Sequence, residues 1–129
     1  MEVLLSFQCA LWGLLPLVQP TAVMLSPMDE SLYIRLADEA LEAAAVWLEG
    51  FDPDEVDFDT TDGVVTIEFS DGVRFVLNRQ RAASQMWFAA GDRAWHYNWD
   101  PVSSTWVDMR DGHEMFANIR ECVATKIGG

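Results

Sequence analysis

Residues 56–77 read VDFDTTDGVVTIEFSDGVRFVL. Val56 and Phe58 alternate with Glu55, Asp57 and Asp59, so an extended chain here has one apolar face and one carboxylate face. Asp62-Gly63 and Asp71-Gly72 are turn dipeptides, and each separates runs rich in β-branched and aromatic residues, Val64 to Phe69 and Val73 to Leu77. This is the signature of antiparallel hairpins. The same period continues at Gln85 to Ala90, at Trp95 to Trp99 and around Thr105 to Asp108.

On either side of this block the period changes to that of a helix. From Leu32 to Glu49 the residues Leu32, Tyr33, Leu36, Ala40, Ala44 and Trp47 recur every three to four positions, and Gly50 and Pro53 supply the stop. On a wheel of 100° per residue, Asp38, Glu42 and Glu49 fall within roughly 40° of one another and are expected opposite that stripe. After Asp111-Gly112, Phe116, Ile119, Val123 and Ile127 mark a second helix. The order helix, five or six strands, helix predicts an α+β domain with both helices packed on one face of an antiparallel sheet. Strand parity points Arg74, Asn78, Gln85, Trp87, His96 and Asn98 to the open face, and Phe75, Leu77, Met86, Phe88, Trp95, Tyr97 and Trp99 to the helices. A tryptophan on an open face suggests a contact surface.

A chain of 129 residues, half of them hydrophobic by type, suffices for one packed core. The domain is expected over residues 28–129. Residues 1–27 are apolar but lack the basic flank of an export signal, the Arg content of a transit peptide and the unbroken run of a spanning helix. They are expected to be an over-extended start or a disordered tail before Met28, with an export signal as the lesser reading. Of the two cysteines, only Cys122 lies in the domain, which points to a reducing compartment and to a small buried hydrophobe.

Eight basic against 21 acidic residues leave a net charge of −13, which repels nucleic acid and favours cations and basic protein surfaces. No nucleophile and base pair or phosphate loop is evident; His96 and His113 stand outside any catalytic motif, so side-chain catalysis is not expected. Asp57, Asp59 and Glu68 imitate a calcium loop, but the glycine falls one place late and the intervening residues alternate as a strand. The remaining chemistry is the acidic row itself, Asp38, Glu42, Glu49, Asp52, Asp54, Asp57 and Asp59. Its hard oxygen donors suit iron or manganese, bound weakly at several surface carboxylates, and suit equally an arginine-rich partner.

Several segments resemble the frataxin family, specifically its bacterial CyaY type. They are Arg35-Leu36-Ala37-Asp38, then Asp62-Gly63-Val64-Val65-Thr66-Ile67, Asn78-Arg79-Gln80 with Gln85-Met86-Trp87-Phe88-Ala89, His96-Tyr97-Asn98-Trp99, and Trp106 before Asp111-Gly112. The resemblance runs from Met28 to about Ala124. It implies an α-β-α sandwich and an iron-binding role (Fe2+ or Fe3+) in iron–sulfur cluster assembly, as a cytoplasmic, monomeric regulator or adaptor of the cysteine desulfurase and its scaffold protein. It maps the family's acidic ridge onto Glu49, Asp52, Asp54, Asp57 and Asp59, and its partner contacts onto Asn78, Gln80, Gln85, Trp87 and His96. Ala45 and Val46 stand where CyaY-type proteins carry glutamates, which implies iron held more weakly or displaced along the helix. A ferroxidase and an iron store or chaperone are the alternative functions.

Overall fold

The computed structural model describes residues 28–128, so the expectations for residues 1–27 lie outside the described residues. Helix α1 spans Glu30–Leu48 and opens on Asp29, whose carboxylate accepts the Ser31 N–H at 3.0 Å. It ends where the Gly50 and Phe51 N–H groups close on the Trp47 and Leu48 carbonyls. Its buried face is Tyr33, Ala37, Ala40, Leu41, Ala44, Ala45 and Leu48. That face is turned from the expected stripe: Leu32, Leu36 and Trp47 lie half-buried at its margins.

Six strands follow: β1 Val56–Thr61, β2 Val64–Phe69, β3 Arg74–Gln80, β4 Gln85–Ala90, β5 Arg93–Asp100 and β6 Thr105–Asp108. They pair antiparallel in sequence order, a meander. Thr61 pairs with Val64, leaving Asp62-Gly63 as a two-residue turn with Gly63 at φ +80°, a conformation that favours glycine. Asp57 and Asp59 belong to β1 and Glu68 to β2, with Asp57 directly across from Glu68, so no calcium loop forms.

Helix α2, Met115–Gly128, starts where the Glu114 carboxylate accepts the Phe116 and Ala117 N–H groups at 2.8 and 2.9 Å. It buries Met115, Ile119, Cys122 and Val123 against the sheet. The inward side chains of the strands, Val65, Ile67, Leu77, Met86, Phe88 and Tyr97 among them, join both helices in one core. The other sheet face carries the alternate residues and, among the described residues, has no helix over it.

Candidate functional site: an acidic edge and an open sheet face

The acidic residues gather at the β1 edge, but the fold divides them. Asp38, Glu42 and Glu49 line a groove between α1 and the β1–β2 hairpin, with Ala45 and Phe58 among the residues on its walls. The row therefore flanks the buried face of α1 and does not lie opposite it. The reason is the turned helix: once Leu41 and Ala45 enter the core, the carboxylates beside them on the wheel come down to the sheet edge. Ala45 is buried and Val46 is 56% exposed, so the two departures from the family's glutamates fall in different environments.

Asp57 and Asp59 project from β1 on the open-face side, where they line a shallow depression with Thr66, Glu68 and Arg74. Asp52 and Asp54 occupy the loop between, and the Asp52 carboxylate accepts the Asp54 N–H at 3.0 Å. Asp38 has a partner: the Arg79 guanidinium, 17% exposed, binds it and also reaches Asp62 at 3.1 Å. These two carboxylates raise the Arg79 pKa against the opposing effect of burial.

On the open face the register brings Asn78, Trp87 and His96 side by side across β3, β4 and β5. Trp87 and His96 stack with ring centroids 4.1 Å apart and planes 10° from parallel. The Trp87 indole N–H donates to the Gln85 side-chain oxygen at 2.8 Å, and the Gln85 amide donates to Asn98 at 3.1 Å. Gln85 differs from expectation. It lies on the outward side but is 9% exposed, because Trp87, Asn98 and Met109 close over it. It holds the indole in place, and its backbone carbonyl accepts the buried Tyr33 hydroxyl at 2.8 Å. Asn78, Gln80, Trp87 and His96 are half-buried and present their outer edges. With strands about 4.8 Å apart, β4 lies roughly 14 Å from β1, and Trp87 is in register with Thr61, so Asp59 and Asp57 lie farther off along the strand.

Two features escaped the sequence. The Arg79 clamp joins residues 41 and 17 positions apart, and no local signal marks it. The second is Asp108, Asp111 and His113, which among the described residues form the one group of three whose ligand atoms all lie within 4.8 Å of one another. Its signal was an Asp-x-x-Asp-x-His spacing in a turn. The seven carboxylates of the acidic row form no such group among the described residues. They can hold hard cations singly or in pairs, with no coordination sphere built in advance.

Among the described residues, no helix is long and apolar enough to cross a membrane. Residues 26–129 match the model of the frataxin-like domain. The chain is 33% identical over 93 residues to the iron-sulfur cluster assembly protein CyaY of Thioalkalivibrio sulfidiphilus, covering 71% of this chain and 87% of that protein. The structure is similar to frataxin from Psychromonas ingrahamii, with a TM-score of 0.69 at 26% identity over 77% of this chain and 91% of that one. It is also similar to trimeric frataxin from the yeast Saccharomyces cerevisiae complexed with ferrous iron, with a TM-score of 0.57 at 25% identity over 85% and 99% of the two chains. Among the described residues, a helix on either side of a six-stranded meander, both packed on one face and matched along nearly the whole described length, makes this chain a member of the frataxin-like family, of the bacterial CyaY type.

Proposed function

We propose that this chain is a non-catalytic adaptor of iron–sulfur cluster assembly. It binds ferrous or ferric iron weakly along the acidic edge, Glu49, Asp52, Asp54, Asp57 and Asp59 with Glu42 of α1, and it docks on the cysteine desulfurase and its scaffold through the open sheet face. The observation that carries this reading is the oriented Trp87–His96 stack on a face that no helix covers among the described residues, beside a strongly acidic edge. An aromatic anchor fixed by hydrogen bonds loses little freedom on binding, and the charge beside it steers a basic partner. The name of the Thioalkalivibrio relative as an assembly protein supports the process, and the ferrous complex of the yeast relative supports the cargo. Cys122, buried and free, suits a reducing compartment such as the cytoplasm.

The test is desulfurase turnover with the purified chain, with and without Fe2+, comparing the wild type with Trp87→Ala. Trp87→Ala is expected to weaken desulfurase binding by about 2 kcal/mol, roughly 30-fold. The wild-type affinity should also fall as ionic strength rises from 0.05 to 0.5 M, about the range where screening removes exposed charge attraction. Equal binding of wild type and variant, or binding indifferent to salt, removes the reading. Size-exclusion chromatography with and without iron separates a monomeric adaptor from an iron store, and oxygen consumption per iron separates it from a ferroxidase.

A further inference from the structure

We propose that Asp108, Asp111 and His113 bind one divalent first-row transition-metal ion, at a site separate from the acidic edge and independent of the function proposed above. Asp108 ends β6 with its side chain 1% exposed. Its Oδ2 accepts the Arg110 and Asp111 backbone N–H groups at 2.9 and 3.1 Å, and the Arg110 Nε lies 3.9 Å from that same oxygen. Its Oδ1 is buried and has no partner among the described residues. An unpaired buried acceptor is costly, and more so when charged. A cation is the partner such an oxygen lacks.

The neighbouring groups suit one. Asp108, Asp111 and His113 each offer a ligand atom, all within 4.8 Å of one another. Metal bonds of about 2.1 Å put adjacent donors roughly 3–4 Å apart, so a small contraction closes the set. The His113 imidazole is held edge-on by Trp95 and Tyr97, at centroid distances of 6.4 and 5.3 Å. Its Nδ1 lies 2.6 Å from the Asp111 carboxylate and its Nε2 lies 2.8 Å from the Tyr97 hydroxyl. The Asn118 amide donates to that hydroxyl at 2.8 Å, and burial keeps the phenol neutral by raising its pKa.

The Asp111 carboxylate only accepts, so in the neutral ring Nδ1–H donates to it and Nε2 is left to accept from the Tyr97 hydroxyl. A metal ion at Nδ1 takes the place of the proton there. The imidazole proton then resides on Nε2 and donates to the Tyr97 oxygen, the outer-shell bond that orients a ligating histidine. Two carboxylates and a neutral imidazole balance a divalent charge. One nitrogen donor favours Zn2+, Fe2+, Co2+ or Mn2+ over Mg2+ and Ca2+, which take oxygen ligands. Asp111 and His113 also line the groove between β5 and α2, which gives the ion a way in from solvent.

The test titrates the full chain with Co2+ and then Zn2+, reading the cobalt visible absorption and the ring nitrogens of His113 by NMR. The expected result is one cobalt ion per chain that shifts both His113 nitrogens and is displaced by zinc. Affinity should fall more than about tenfold in His113→Gln and in Asp111→Asn, and stay unchanged in Glu68→Gln at the acidic edge. Asp108 also holds two backbone N–H groups, so these more exposed positions bear the test. The proposal is overturned by His113 signals that do not move at saturating cobalt, by equal affinity in His113→Gln, by loss of binding in the edge variant, or by no binding at millimolar metal.

Discussion

Arg79 lies between two residues read from the sequence as partner contacts, Asn78 and Gln80, and its own part is different. Parity turns it to the helix side of the sheet, where its guanidinium ties α1 through Asp38 to the β1–β2 turn through Asp62. It also covers that turn: a Cβ on Gly63 would sit 3.1 Å from the Arg79 Nε. Charge-assisted bonds to two carboxylates, discounted because Asp38 and Asp62 are themselves exposed, lead us to expect a loss of about 1–2 kcal/mol in Arg79→Ala. Arg79→Lys should recover little, since an ammonium is a point charge and cannot fork between the two. Urea midpoints decide this, and a loss below about 0.3 kcal/mol would make the clamp an ordinary solvated pair. The direction of Arg79 was legible from strand period, but its partners were not, because they depend on chain crossings far away in sequence.

At the scale of the element, β1 shows what an acidic edge costs. Asp57 faces Glu68 directly across the β1–β2 pair, and like charges so placed repel; Arg74, 3.6 Å from Glu68, offsets part of this. Asp57→Asn is therefore expected to stabilise the fold by about 0.2–1 kcal/mol at low salt, a gain that shrinks as screening rises. The same variant should take up less ferrous iron at the edge. Stability and iron uptake falling together would contradict this account of the edge. The strand itself could be read from alternation alone. Helix α1 was legible in period and extent, but its phase was not: Trp47 and Leu36 rank as apolar as any core residue by type, and only the sheet beneath selects Ala37, Leu41 and Ala45 instead. That turn of the helix moved Asp38, Glu42 and Glu49 from an expected outer face to the groove beside β1.

Across the whole molecule, the chain's end is fastened to its middle by Lys126 of α2 and Asp71 of the β2–β3 turn, 55 positions apart. The lysine, with the Val73 N–H, holds the Asp71 carboxyl below the ordinary value of 3.8. A carboxyl depressed in the folded state stabilises the fold above its unfolded pKa, and that contribution is lost as pH falls from about 3.8 through the lower folded value. Asp71→Asn should thus lose stability less steeply than the wild type below pH 3.8, as read by urea unfolding across acid pH. Equal slopes would mean that the bond contributes nothing in solution. By itself the sequence determined the order helix, five or six strands, helix and the inward or outward side of most strand residues, because period and turn chemistry act over a few neighbouring residues. Only the tertiary structure decided which face of α1 is buried, that Gln85 braces Trp87, that Arg79 holds Asp38, and that Asp108, Asp111 and His113 converge beside Tyr97. Gln85 and Trp87, and likewise Asp108, Asp111 and His113, are near neighbours in sequence, but the α1 face, the Arg79–Asp38 pair and the Tyr97 contact depend on segments far apart in the chain, whose distance is set only when the core closes.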